Sequence, residues 1–119
     1  MKSLSFLLGL SIMLLACLSA CQQQKTIPAL PCPNAGAFVK QATNLSGLVY
    51  YDSTRKSYGI QVPTSMDSAD MGFTCNLPAD YQKEQLLVHF TGSYYEYDKP
   101  VPVPVGYKVY YLSLDHISR

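Results

Sequence analysis

The chain has 119 residues, a formal net charge of +1, and charged residues at only 14% of positions, which leaves room for one small folded unit and no second one. Its lysines and arginines are scattered rather than clustered, so it lacks the basic patch that neutralises phosphates, and this argues against a nucleic-acid partner. Ten tyrosines, all from Tyr50 onward, and no tryptophan supply apolar rings suited to packing at a wet boundary.

In chain order, residues 1–20 read as a lipoprotein signal peptide. Lys2 supplies a charged start, Leu7 to Leu15 an apolar run, and Leu18-Ser19-Ala20 the small-residue cleavage site. Leu18-Ser19-Ala20-Cys21 resembles the lipobox of bacterial lipoproteins, in which the cysteine becomes the first mature residue and carries the lipid. Cys21 is thus the expected lipidation site, with Cys17 a poorer second candidate because its apolar run would be short. An ordinary secretory signal is the alternative. The apolar stretch is shorter than the ~20 residues a transmembrane helix needs.

Residues 21–33 read as a flexible tether. Gln22-Gln23-Gln24 is polar, and Pro28, Pro31 and Pro33 oppose a helix or a central strand. With Cys17 removed and Cys21 lipidated, Cys32 and Cys75 remain in a compartment that permits oxidation. The pair reads as one disulfide, with two free thiols as the alternative. Closing that loop would stabilise a small domain by about 4 kcal/mol on the chain-entropy estimate.

From residue 34 to 119 the pattern is that of a single domain. Ala35 to Lys40 suits either a short strand or one helical turn. Leu48-Val49-Tyr50-Tyr51 and Tyr58-Gly59-Ile60-Gln61-Val62 read as a hairpin around the polar turn Asp52 to Lys56, with Pro63 ending its second strand. Pro63 to Gly72 reads as a loop, Phe73-Thr74-Cys75 as a short strand, and the segment after Pro78 as a short helical turn. Gln85 to Gly92 alternates so that Leu86, Val88 and Phe90 face a core. Ser93 to Gly106 reads as an aromatic and proline-rich excursion, and Tyr107 to Ile117 as a closing strand long enough to hold a bulge. Five short β elements with one helical turn predict an all-β fold, a small OB-like five-stranded curved barrel in which closure removes exposed edges. An incomplete sandwich is the alternative.

Chemistry is sparse. His89 and His116 are the two histidines, with no nucleophile or ligand set at a recognisable spacing beside them, and no phosphate loop, zinc-helix motif or nucleophile elbow is present. The chain therefore reads as non-enzymatic, with no metal or cofactor of its own. Tyr94, Tyr95 and Tyr97, close behind Gly92, suit a recognition surface.

Leu18-Ser19-Ala20-Cys21, Gly47-Leu48-Val49-Tyr50-Tyr51-Asp52, Val88-His89-Phe90-Thr91-Gly92-Ser93 and Tyr107-Lys108-Val109-Tyr110-Tyr111-Leu112 together resemble the potempins. These are small OB-fold lipoproteins of Bacteroidetes-type outer membranes that inhibit secreted metallopeptidases. The resemblance implies an outer-membrane lipoprotein, periplasmic or surface-facing, held to the lipid membrane by its acyl groups. It also implies a secreted metallopeptidase as partner, the catalytic zinc belonging to that partner. From the residues themselves, the expected inhibitory loop is Thr64, Ser65, Met66 and Asp67, with Met66 as anchor. Pro31, Pro33, Tyr94 and Tyr95 are expected secondary contacts, and the Cys32–Cys75 disulfide would hold loop and tether side by side. The competing reading is a surface or periplasmic binding module for a glycan or another envelope protein.

Overall fold

The computed structural model describes residues 24–28, 30–99 and 101–119. The expected signal segment 1–20 and the expected lipidation site Cys21 lie outside them. Six strands follow in order: β1 (Lys25–Thr26), β2 (Phe38–Asp52), β3 (Ser57–Ser65), β4 (Ser68–Thr74), β5 (Leu87–Glu96) and β6 (Tyr107–Ser118), with a 3-10 turn at Ala79–Tyr81 behind Pro78. Strands β2 to β6 close in the order β2-β3-β4-β6-β5, with β5 returning to β2. Every pairing in the ring is antiparallel except β4 with β6, which is parallel. This is a five-stranded closed OB-like barrel, and its closure leaves no ring strand with a bare edge.

Four register shifts interrupt the sheet among the described residues, and two of them can be read from the core pattern. In β2 the inward positions are Ala42 and then Val49, an odd step that period-2 alternation does not allow. The register slips between Ala42 and Leu45, where Asn44 takes φ +47° and donates its backbone N–H to Thr91 Oγ1 at 3.0 Å. In β6 the inward positions are Leu112 and Leu114, then Ile117; the register jumps from Gly92↔Leu114 to Thr91↔His116, leaving Asp115 as the extra residue. Gly92 sits at that crossing because a Cβ there would come within 2.4 Å of the Ser113 carbonyl oxygen.

Val49, Ile60, Val62, Val88, Phe90, Tyr94, Leu112, Leu114 and Ile117 form the core, with Tyr81 and Leu77 of the helical-turn segment and Ile27 of the N-terminal segment packed with them. The expected inward set Val88 and Phe90 is fully buried, and Leu86 packs partly against it.

Several elements run further than the sequence suggested. β2 extends back from Leu48 to Phe38, because its N-terminal half pairs with β5 while its C-terminal half pairs with β3. Pro63 does not end β3; it lies exposed within the strand, opposite Ala69. Pro63 to Gly72 is accordingly not a loop but the end of β3, a two-residue turn at Met66 and Asp67, and the start of β4. β5 likewise continues through Ser93 to Glu96, so the excursion begins only at Tyr97.

The described part of the 21–33 segment is fastened to the barrel rather than left as a free tether. Lys25 and Thr26 pair with Ile117 and His116 on the stretch of β6 that β4 no longer covers. The Ile27 N–H donates to the bulge residue's carbonyl, Asp115 O, at 2.9 Å, and Ser113 Oγ donates to the Leu30 carbonyl at 3.2 Å. Cys32 then forms the disulfide with Cys75, the two Cα atoms 5.3 Å apart and 43 positions apart in sequence. Reduction, or the double substitution Cys32→Ser with Cys75→Ser, is expected to lower stability by about 2–4 kcal/mol. Urea unfolding with and without reductant measures this; coincident curves would show that the other fastenings suffice.

Candidate functional site

Three surfaces carry the residues singled out from sequence. The first is the β3–β4 hairpin tip. Met66 is fully exposed there, and Thr64 and Ser65 both hydrogen-bond the Ser68 hydroxyl, which locks the turn. Gly106 packs against it: a Cβ at Gly106 would lie 3.0 Å from the Asp67 carbonyl oxygen, and its φ of +91° suits glycine. The tip therefore meets the β5–β6 loop, not the disulfide. Cys75 lies beyond the other end of β4, roughly 23 Å away for seven residues of strand. The expectation that the disulfide holds this loop beside the tether is corrected by that separation.

The second surface is the disulfide-pinned strap. Leu30, Pro31 and Pro33 are exposed, Leu30 at 55%, on either side of the buried Cys32. Asn76 builds this edge. Its Oδ1 accepts the Leu114 N–H and its Nδ2 donates to the Leu114 carbonyl, both at 2.9 Å, so one side chain mimics a strand partner for β6. Asn76 Nδ2 also reaches the Pro28 carbonyl at 3.4 Å. A single asparagine after a cysteine carries no sequence signature; only the barrel's closure places it at the β6 backbone.

The third surface is an aromatic cleft of about 500 Å³ next to the strap, where Pro33 and Asn34 meet Phe73, Arg55, Tyr97 and Tyr111. Its aromatic lining, Phe73, Tyr97 and Tyr111, belongs to an outward-facing stack that continues to Tyr50 behind it. Tyr50 lies over Gly59, where any side chain would collide with its ring, and meets Phe73 edge-on at 5.9 Å between centroids. Phe73 contacts Tyr97 at 5.4 Å, and Tyr97 contacts Tyr111 at 4.6 Å. Arg55 caps the stack, 5.0 Å above the Phe73 ring; its Nε donates to Tyr97 Oη and its Nη1 to Asp52 Oδ2, each at 2.8 Å. The Arg55 backbone N–H, followed by its guanidinium, holds the Asp52 carboxyl below its ordinary range.

Among the expected contacts, Tyr94 must be reassigned. It is fully buried, packing into the barrel with its ring 5.2 Å from Tyr110, because β5 continues past Gly92 and turns it inward. Tyr95, its outward neighbour, instead meets Phe38 edge-on at 5.9 Å. The core end near Tyr94 is closed by Lys40, whose ammonium pairs with the buried Asp70 and lies 5.5 Å from the Tyr94 and Tyr110 ring centres. The histidines stay apart in role: His89 Nδ1 is 2.9 Å from Ser46 Oγ and His116 Nδ1 is 3.4 Å from Thr26 Oγ1. No group of three or more His, Cys, Asp or Glu side chains that could hold a metal occurs among the described residues.

Burial raises the phenol pKa values of Tyr50 and Tyr94, and burial followed by the Asp98 carboxylate beside it pushes Tyr111 up to about 12. A folded-state pKa above the unfolded one means a contribution to stability that is complete below about pH 10, the free-phenol value, and is lost as pH rises through the folded value. The domain is therefore expected to lose stability steadily from about pH 10 upward. A spectrophotometric phenolate titration should show a late-ionising class that merges with the rest only on unfolding; a single class near the free value would contradict this burial.

No family model matches the chain, and a search of curated proteins finds none that matches it.

Proposed function

We propose that this protein is a non-enzymatic, envelope-anchored inhibitor of a secreted zinc metallopeptidase, and that the part entering the peptidase cleft is the strap from Leu30 to Asn34 rather than the hairpin tip. The supporting observation is that an exposed leucine stands on a proline-flanked segment that is fastened on both sides, by the Ser113 hydroxyl on the Leu30 carbonyl and by the disulfide at Cys32. Peptidase clefts take extended chain. A segment already ordered gives up little conformational entropy on entering one, and Pro31 and Pro33 fix φ in advance. The likeness of the four quoted fragments to potempins agrees with an inhibitor built on this barrel. Lipidation at Cys21 would keep it at the outer membrane, where secreted peptidases pass; mass spectrometry of the membrane-extracted protein tests the anchor separately.

The functional test is capture and inhibition. The full chain, immobilised, is incubated with the secretions of the producing cells, and whatever binds is assayed for chelator-sensitive peptidase activity with and without added protein. Stoichiometric loss of activity supports the proposal. No capture, and no inhibition at micromolar protein, overturns it and favours a module binding a glycan or another envelope protein.

A further inference from the structure

The aromatic cleft has a composition that inhibition through the strap does not require. We propose that it is a binding site, sharing Pro33 and Asn34 with the strap, for an acidic oligosaccharide, one whose sugar rings lie against Tyr97 and Tyr111 and whose carboxylate meets Arg55 and Lys99. The reasoning starts from Arg55. Its Nε and Nη1 are committed to Tyr97 and Asp52, and among the described residues its Nη2 has no hydrogen-bond partner, so a held guanidinium lines the cleft with donors to spare. A guanidinium whose orientation is already set recognises a carboxylate with little further loss of entropy. Lys99, exposed at the rim, adds a second cation, while Asp52 offsets only one of the two. Asp98 accepts the Tyr111 hydroxyl at 2.6 Å and keeps its charge just outside the cleft lining, so recognition rests on the donors that face the cleft rather than on a net positive charge.

The walls decide what carries the carboxylate. Tyr97 and Tyr111, each half-buried, line the cleft as a tilted stack, their ring centres 4.6 Å apart and their planes inclined by 38°. Thr54, Ser57 and Asn34 ring it with short polar groups. Half-buried aromatic side chains edged by hydroxyl and amide groups suit a sugar, which is apolar on its ring faces and polar around its edge. A nucleic-acid strand would need a longer cationic track than Arg55 and Lys99 provide.

The test is titration of the full chain with oligogalacturonate and with sialyllactose, beside neutral cello-oligosaccharides, followed by NMR chemical shifts and calorimetry. Saturable binding of an acidic sugar, with shifts centred on Tyr97, Tyr111 and Arg55 and weakening with added salt, supports the site. Lys99→Ala, an exposed change, is expected to weaken that binding about two- to fivefold, and Arg55→Lys about tenfold by losing the fork geometry. Circular dichroism checks that each variant is folded. Equal binding of neutral and acidic sugars overturns the role of the cations, and no saturable shift with any of these sugars overturns the site. Binding unaffected by Lys99→Ala and Arg55→Lys in folded protein places the ligand elsewhere and overturns it as well.

Discussion

Leu30→Asp is expected to weaken inhibition of the captured peptidase about thirtyfold or more, a loss of about 2 kcal/mol, while Met66→Asp leaves it within about twofold. The contrast follows from where the two side chains stand. Both are exposed apolar residues, so composition alone would nominate either. Leu30 projects from chain whose backbone is held by β6 and by the disulfide, so its placement costs little at the moment of binding. Met66 projects from the far end of β4, about one strand length away, and cannot share a cleft with the strap. A charge at the centre of a desolvated contact is costly, whereas a charge on a free hairpin tip remains in water. Neither substitution removes a core contact, so circular dichroism spectra and melting temperatures should stay near those of the parent. Inhibition constants for the two variants decide the matter. A large loss with Met66→Asp and none with Leu30→Asp would return the contact to the hairpin, and loss with neither would remove both from the interface.

The second large effect concerns Tyr94. Tyr94→Ala is expected to destabilise the domain by about 3–5 kcal/mol, a substantial part of the 5–15 kcal/mol that holds a domain of this kind together. The ring is wholly enclosed, touches Tyr110, and is a boundary of the space beside Gly72, so truncation opens a void that the closed barrel cannot collapse into. Tyr94→Phe should behave in the opposite way. The Tyr94 hydroxyl is buried with no hydrogen-bond partner among the described residues, so removing it relieves a desolvated polar group and should leave stability equal or higher by up to about 1 kcal/mol. Urea unfolding of the two variants separates these cases. Marked destabilisation by Tyr94→Phe would mean that the hydroxyl has a partner; indifference to Tyr94→Ala would mean that the ring is not in the core.

Much of the barrel was legible because its determinants are local. Val88 and Phe90 alternate with polar neighbours, Asp52 to Lys56 is a turn by composition, and Pro78 precedes a helical turn, so strand identity and the all-β class follow from period and turn chemistry. The Cys32–Cys75 pairing was legible for a different reason: with Cys17 and Cys21 assigned to the expected signal boundary, two cysteines remain. What stayed hidden depends on which strands become neighbours. Pro63 looked like a strand end because a proline lacks a donor, yet it is tolerated where the strand leaves it exposed opposite Ala69. Gly92 looked like a stop, yet it lets β5 cross Ser113 closely and carry Tyr94 into the core. The flips of facing at Asn44 and Asp115 arise from register against β5, which no single strand records. Asn76 and Arg55 matter for the same reason. Asn76 completes a β6 backbone 38 residues away, and Arg55 joins a turn to Tyr97 across 42 residues. Short-range pattern determines what each segment is, because it depends on side-chain period and backbone preference; ring closure determines what each segment touches, and the strap and the cleft exist only as products of that closure.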